Sequence, residues 1–179
     1  NSAVGGYVIQ LAKQRGIKTV NIVRREGLAE ELMAKGADVV LVDGPNLAAD
    51  IAKATGNAPI VLALDPVGGD TYSRLADSLG YSGTLVTFGV LSGKPATLDT
   101  RRLIGNDIRL RGFWLAKWFL TATTLEKQAA FGEVIPLIAD GTLKADIDSR
   151  FTIDEIKQAV LRSSEDARNG KVLIVPSPL

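Results

Sequence analysis

The chain of 179 residues contains no cysteine and no histidine, and these two absences restrict the chemistry that it can carry out. Without cysteine it forms neither disulfides nor zinc–thiolate sites, and without histidine it lacks the commonest general base and metal ligand. Any catalysis must therefore use a cofactor, the carboxylate, lysine, tyrosine or backbone groups of this chain, or residues of another segment.

Long apolar runs and a dominant charge are also absent. No run approaches the roughly 20 apolar residues that cross a bilayer, so we expect no membrane segment. The 21 basic and 20 acidic residues are spread along the chain, which does not form the basic stripe typical of nucleic-acid binding. The sequence shows no signal peptide and does not begin with Met, so we expect an excerpt from a longer protein.

Short apolar runs alternate with helical patterns through the first half of the sequence. The predicted helices are Val4–Arg15, Leu28–Gly36, Leu47–Ala54 and Thr71–Leu79. The predicted strands are Lys18–Arg24, Asp38–Asp43, Pro59–Asp65 and Gly83–Gly89. These strands are almost wholly apolar, as expected when helices cover both faces of a parallel sheet. The alternation predicts an α/β fold with a doubly wound parallel sheet.

In the second half of the sequence the predicted strands and helices alternate less regularly. We predict a long connection over residues 90–106, followed by one more strand over Asp107–Ala116 that carries two aromatic residues near its end. A long helix is predicted over Leu125–Ile138. A further helix follows Thr152, which with Glu155 fits the capping-box pattern, and a final strand covers Lys171–Val175.

The first six residues have the character of a phosphate-binding loop. Asn1–Gly6 is small and flexible, and it leads into an amphipathic helix that a strand follows directly. In a dinucleotide-binding unit such glycines let the backbone approach the pyrophosphate, which the amides of the helix N-terminus hold. The run S-A-V-G-G is not the full G-x-G-x-x-G pattern, so simple helix packing is the alternative.

Two arginines end the first predicted strand. An NAD site has an acidic residue roughly 20 residues beyond the glycine loop, whereas an NADP site has cations there for the 2′-phosphate. Arg24 and Arg25 occupy this position, and two guanidinium groups can bind a phosphate bidentately. The spacing therefore predicts NADP recognition, with a solvated surface loop as the alternative.

Glycine-rich loops follow two other predicted strands. D-P-V-G-G spans Asp65–Gly69, and F-G-V-L spans Phe88–Leu91. Ligands of open parallel sheets lie outside the carboxyl ends of the strands, where glycine lets the backbone approach a flat ring. The alternative is that these are ordinary turn residues.

Four motifs carry a resemblance to a known family. The runs N-S-A-V-G-G-Y-V-I-Q-L-A, V-N-I-V-R-R, G-T-L-V-T-F-G-V-L and L-R-G-F-W-L-A-K-W resemble 2-enoyl thioester reductases of the mitochondrial trans-2-enoyl-CoA reductase type. That group is part of the zinc-free branch of the medium-chain dehydrogenase/reductase superfamily. The resemblance implies an oxidoreductase that uses NADPH to reduce the α,β double bond of enoyl-CoA or enoyl-acyl-carrier-protein in fatty acid synthesis. The alternatives are a quinone or alkenal oxidoreductase of the same superfamily and a non-catalytic NADPH-binding module.

The same resemblance implies a set of cofactor-binding residues. The pyrophosphate would lie against Asn1, Ser2, Ala3 and Val4, and the 2′-phosphate against Arg24 and Arg25. The nicotinamide end would lie beside Phe88, Gly89, Val90, Leu91, Phe113, Trp114, Leu115 and Ala116. Trp114 would also shape the acyl pocket, and Lys171 would reach back to the cofactor. We assign no catalytic acid and no metal ligand. Four arginines would either attract substrate phosphates or be solvated surface charges: Arg101, Arg102, Arg109 and Arg111.

The resemblance also implies domains and partners. Residues 1–120 would form an NADP-binding Rossmann domain that lacks its first strand, and residues 121–179 would return to a GroES-like catalytic domain. The expected partners are the enoyl thioester substrate, the missing N-terminal domain and a second copy that pairs through the edge strand near Ile108–Leu115. We expect neither nucleic acid nor membrane as a partner. The location would be cytoplasmic in a bacterium and mitochondrial in a eukaryote.

Overall fold

The computed structural model describes residues 2–165, 168 and 170–176. Helices and short strands alternate along this part of the chain. The helices are α1 Ala3–Gln14, α2 Ala29–Ala34, α3 Leu47–Ala54, α4 Gly69–Ser78, α5 Thr100–Asn106, α6 Leu115–Thr121, α7 Thr124–Ala139 and α8 Ile156–Ser164. The strands are β1 Val20–Val23, β2 Val39–Val42, β3 Ile60–Asp65, β4 Leu79–Thr87, β5 Arg109–Gly112, β6 Ile147–Phe151 and β7 Lys171–Ile174.

The chain divides into two compact units, each built from separate stretches of sequence. Unit 1 comprises Asn1–Thr19, Gly27–Val40 and Phe131–Leu179. Unit 2 comprises Val20–Glu26 and Leu41–Ala130. The division between residues 120 and 121 that the resemblance implies stays a prediction.

Unit 2 contains a parallel sheet in the order β3-β4-β5. The register pairs Asp65 with Thr87 and Thr87 with Gly112, so the three strands end at the same level. Below this edge the core consists of buried apolar side chains, with α4 packed on β3 and β4. Its members are Ala63, Ala76, Leu79, Leu85 and Ile108. The parallel strands and intervening helices confirm the predicted α/β fold class.

A bidentate ion pair ties α4 to the residue that follows β2. Arg74 donates from Nε to Oδ1 of Asp43 at 2.7 Å and from Nη2 to Oδ2 at 2.8 Å. The Thr71 hydroxyl donates to Oδ2 at 2.6 Å. Burial alone would raise the pKa of Asp43, but the hydrogen bonds from Arg74 and Thr71 outweigh it and hold this pKa below its ordinary value.

Unit 1 contains the parallel pair β6–β7 and the helices α1 and α8. Ahead of α8, the backbone N–H of Thr152 donates to the Glu155 carboxylate at 2.8 Å, and the predicted capping box is confirmed. The guanidinium of Arg162 on α8 donates to both carboxylate oxygens of Asp148 on β6. Strand β6 was not predicted, because I-D-S-R-F has no apolar run.

The region between β4 and α7 differs from its prediction in two places. The supposed long connection contains α5, which Asp99 caps by accepting from the N–H of Arg101 at 2.9 Å. The strand predicted over Asp107–Ala116 is wrong at both ends. Asp107 has a left-handed φ of 48° and is the C-cap of α5, and α6 begins at Leu115, where helix-favouring residues follow the aromatic pair.

The burial of the two faces of β3 also differs from its prediction. Ala63 and Asp65 are buried, but Leu62 is 54% exposed and Leu64 39%, so in the described part of the chain only one face of this strand is covered. The helix α4 packs on the covered side. The expectation of helices on both faces is therefore wrong for β3 in this structure. In the same described residues β1 pairs with β2, and no ladder joins β1 to β3.

Candidate functional site

The carboxylate of Asp65 organises the loop that follows β3, which we call the β3 loop (Asp65–Gly69). The side chain is fully buried. Its Oδ1 accepts from the backbone N–H of Val67 at 2.8 Å and of Gly68 at 3.0 Å. Its Oδ2 accepts from Gly68 at 3.1 Å and from the Thr87 hydroxyl at 3.4 Å. These donors compensate the burial of the charge and hold the loop to the end of β4.

A second loop, the β4 loop (Phe88–Ser92), lies directly against the first. The backbone N–H groups of Phe88, Leu91 and Ser92 donate to three consecutive carbonyls of the β3 loop, at 3.0, 3.2 and 2.9 Å. Glycine makes this approach possible. A Cβ on Gly89 would lie 2.6 Å from the carbonyl oxygen of Pro66, too close for any other residue type without movement of the backbone.

A cleft of about 330 Å³ opens beside these loops, at the ends of β4 and β5 in unit 2. Its wall is apolar at Val90, Pro95, Ala96 and Leu110, and Tyr72, Lys94 and Arg111 also line it. Gly68, Thr87 and Gly112 complete it. The cleft thus lies outside the carboxyl ends of parallel strands, where open α/β sheets bind their ligands.

Tyr72 is a titratable residue that lines this cleft. Burial raises the pKa of Tyr72, and the negative charge of Asp65 raises it further. The phenol is consequently protonated at neutral pH. Sequence reasoning missed Tyr72 and Lys94, because neither belongs to a recognisable motif and the fold alone brings them to the strand ends.

The predicted nicotinamide-binding residues of unit 2 are mostly apolar and, apart from the half-buried Gly89, exposed. Val90 lines the cleft and is 72% exposed, and Leu91 is 80% exposed. The N–H of Phe113 donates to the carbonyl of Thr87 at 2.9 Å, which holds it at the same edge of the sheet. Trp114 follows at the N-cap of α6, and both Leu115 and Ala116 belong to that helix rather than to a strand end.

Arg24 and Arg25 follow β1 directly and are exposed. Within the described ranges neither has an ion-pair partner, whereas other cations of the chain do have one, such as Lys18 with Asp38 and Arg74 with Asp43. The two guanidinium groups are therefore not neutralised by a described carboxylate. This charge state suits an anionic ligand, and their assignment to the 2′-phosphate stays a prediction.

The N-terminal loop and Lys171 belong to unit 1. Asn1 lies outside the described residues. The Ser2 hydroxyl caps α1 by accepting from the N–H of Gly5 at 3.1 Å, and Ala3 and Val4 form the first turn, which has no acidic residue. Lys171 begins β7, where its N–H donates to the Asp146 carbonyl at 2.8 Å. Their roles toward a cofactor stay predictions.

The described residues contain no group of three or more side chains that could hold a metal ion. In the same residues no helix combines the length and the apolar character that crossing a membrane requires.

Comparisons with known proteins agree with this architecture. The family model for zinc-binding dehydrogenases matches residues 3–139. The mitochondrial enoyl-[acyl-carrier-protein] reductase of Dictyostelium discoideum is 37% identical over 179 residues, which are 97% of this chain and 51% of the relative.

Two solved structures are similar over nearly the whole chain. A proposed NADPH:quinone reductase from Bacillus thuringiensis superposes with a TM-score of 0.85 at 25% identity, and covers 97% of this chain and 54% of its own. A mutant form of the enoyl thioester reductase from Candida tropicalis superposes with a TM-score of 0.77 at 25% identity, with coverages of 98% and 52%.

The chain spans about half the length of the curated relatives it matches. Both the family model and these relatives confirm the resemblance that the four motifs predicted. The chain belongs to the zinc-binding dehydrogenase family of the medium-chain dehydrogenase/reductase superfamily.

Proposed function

We propose that the protein uses NADPH to reduce the α,β double bond of 2-enoyl thioesters of CoA or acyl carrier protein, in fatty acid synthesis. The observation that carries this proposal is the common edge of β3, β4 and β5, because both glycine-bearing loops and the cleft lie there. The names of two relatives, an enoyl-[acyl-carrier-protein] reductase and an enoyl thioester reductase, support the reaction.

The described residues fit NADPH in charge and in backbone shape. Arg24 and Arg25 offer two guanidinium groups that would bind the 2′-phosphate bidentately. The first turn of α1 has no acidic side chain, so its amides and helix dipole favour a pyrophosphate beside Ser2, Ala3 and the preceding Asn1.

When bound, NADPH would supply a hydride to the β-carbon of the enoyl thioester. This chain's residues would orient the reactants, with the β4 loop on one side of the nicotinamide and Phe113–Ala116 on another. Trp114 would also contact the acyl chain, and Lys171 would reach toward the cofactor. We assign no catalytic acid here, so the proton for the α-carbon would come from another part of the full-length protein.

The proposed partners follow from the sheet edge and the relatives. In the described sheet β5 is an edge strand whose four residues are all exposed, and an exposed edge can pair with a second copy of the chain. We therefore propose a homodimer through Ile108–Leu115. A mitochondrial location in a eukaryote is supported by the names of the relatives, and a cytoplasmic one is proposed for a bacterium.

A quinone or alkenal oxidoreductase is the second candidate, because a similar solved structure is a proposed NADPH:quinone reductase. The two candidates share a cofactor and differ in the acceptor. A non-catalytic NADPH-binding module is the third, and it would show cofactor binding without turnover.

The test is NADPH oxidation by the full-length protein with crotonyl-CoA, with 1,4-benzoquinone and with no acceptor. We expect turnover on crotonyl-CoA to exceed that on the quinone, and NADPH to be preferred over NADH because of the two arginines. Faster turnover on the quinone would favour the second candidate. Tight NADPH binding with no turnover on either acceptor would favour the binding module.

A further inference from the structure

Two arginines lie on α5 and two on β5, and the four side chains do not share one environment. Arg101 pairs with Asp99 at 2.7 Å, and Arg102 lies 3.4 Å from Asp77. Arg109 lies 4.0 Å from Asp107. Arg111 lines the cleft at the strand ends, and within the described residues it has no ion pair. The structure thus separates one arginine from the three that have acidic neighbours.

Lys94 lines the same cleft as Arg111, and it too has no ion pair in the described part of the chain. Its backbone N–H donates to the Ser92 hydroxyl at 3.2 Å, which fixes its position beside the β4 loop. Among the residues that the structure describes, no carboxylate lines the cleft. The buried Asp65 accepts hydrogen bonds on both of its oxygens from backbone N–H groups and a hydroxyl, and it forms no ion pair with either cation.

The remaining wall determines what kind of anion fits. Tyr72 and Thr87 belong to this wall, and Val90, Pro95 and Leu110 contribute apolar surface. A guanidinium and an ammonium together favour a phosphate, the first through paired N–H groups and the second as a point charge. Apolar walls beside them favour a phosphate attached to a largely uncharged chain. The volume of about 330 Å³ lies in the range of small-molecule sites.

We propose that this cleft binds a phosphate group through Lys94 and Arg111, and that it is the phosphate of the pantetheine arm that CoA and acyl carrier protein share. The second part of this statement rests on the proposed function. The cofactor also carries phosphates, so the experiment separates the two sources.

The experiment uses the full-length protein with Lys94→Gln, Arg111→Gln and the double variant. The matched controls are Lys53→Gln and Arg101→Gln, which change an exposed lysine and an exposed arginine that do not line the cleft. Calorimetry measures the affinity for CoA and for NADPH separately. Steady-state kinetics compares crotonyl-CoA with the crotonyl thioester of N-acetylcysteamine, which carries no phosphate.

We expect the double variant to bind CoA at least about tenfold more weakly, because two charge-assisted hydrogen bonds are lost. The KM for crotonyl-CoA rises in parallel, while the KM for the N-acetylcysteamine thioester, the NADPH affinity and both controls stay within about twofold of the wild type. All changed side chains are exposed, so thermal unfolding should be unchanged and serves as the folding check.

Three contrary results have distinct meanings. Weaker NADPH binding with unchanged CoA binding would overturn the assignment to the substrate and give the phosphate to the cofactor. Unchanged affinity for both would overturn the phosphate site. If the wild type binds CoA through Lys94 and Arg111 but does not reduce crotonyl-CoA, the site stands and the proposed function fails.

Discussion

At the residue scale, Asp65 and Arg24 represent two different uses of charge. Asp65 is fully buried, and its carboxylate accepts hydrogen bonds from backbone amides and from a hydroxyl. These hydrogen bonds compensate its burial and hold the β3 loop. Arg24 is exposed and has no ion-pair partner within the described ranges. A compensated buried charge fixes structure, whereas an uncompensated exposed charge is available to a ligand.

Substitution of Asp65 tests its structural use. Asp65→Asn replaces an acceptor oxygen by an NH2 group that would face the donors Gly68 N–H and Thr87 Oγ. We expect the free energy of unfolding to fall by about 1–3 kcal/mol, measured by urea denaturation. The control Asp70→Asn changes an exposed acid in the first turn of α4 and should cost less. Equal effects of the two variants would contradict this role.

Substitution of Arg24 tests its use toward a ligand. Arg24→Ala should weaken NADPH binding by about 1.5–3 kcal/mol, because charge-assisted hydrogen bonds to the 2′-phosphate are lost. NADH binding, measured by the same titration, should barely change because NADH has no such phosphate. Arg101→Ala, a change of an exposed arginine paired with Asp99, serves as the control. Equal losses for both cofactors would refute the assignment.

At the element scale, the sequence predicted strands and helices well where apolar residues recur in a clear periodic pattern, and poorly where they do not. The strands β1 to β4 and helices α1 to α4 all lie within or close to their predicted ranges. Helix α6 was missed because F-W-L reads as strand, although Leu115 and the residues after it continue as a helix. The two loops at the strand ends were located by their glycines, but only folding brings Tyr72 and Lys94 to the cleft.

The ion pair between Asp43 and Arg74 connects elements, and its effect should depend on pH. The hydrogen bonds from Arg74 hold the pKa of Asp43 below its ordinary value despite burial. Its stabilising contribution is thus present above the unfolded pKa of about 3.9, and is lost as the pH falls through the lower folded pKa.

We expect Asp43→Asn to lower the free energy of unfolding at neutral pH by about 1–3 kcal/mol. The variant should also lose less stability than the wild type on acidification below about pH 4, because it lacks the titrating carboxylate. Urea unfolding at several pH values measures both effects. Asp50→Asn on the exposed side of α3 is the control. An unaltered pH slope in Asp43→Asn would show that this pair does not contribute.

At the scale of the whole molecule, the two units are each assembled from separated stretches, with boundaries at Thr19, Glu26, Val40 and Ala130. No shift of composition marks these positions, because pairing between distant segments defines the units. What the sequence did indicate was the family, through motifs distributed from the first residue to α6. The sequence also predicted an excerpt from a longer protein. The chain covers 51% of the length of its Dictyostelium discoideum relative.

Several large apolar side chains are exposed in the described structure. Val61 is 69% exposed on β3, Leu120 82% on α6 and Leu125 75% on α7. Apolar surface of this kind marks an interface when it is contiguous. We expect additional residues of a full-length protein, or a second copy, to cover part of it.

The 179-residue chain expressed alone should therefore bind the dye 8-anilinonaphthalene-1-sulfonate and self-associate in sedimentation velocity, because uncovered apolar groups attract the dye and each other. The full-length protein at the same concentration should bind less dye per mole and sediment as one defined species. In the isolated chain, the triple variant Val61→Thr, Leu120→Gln and Leu125→Gln should reduce both signals, since it removes apolar surface without opening a core. A monomeric, dye-free wild-type chain would instead mean that these side chains are stable in water and need no cover.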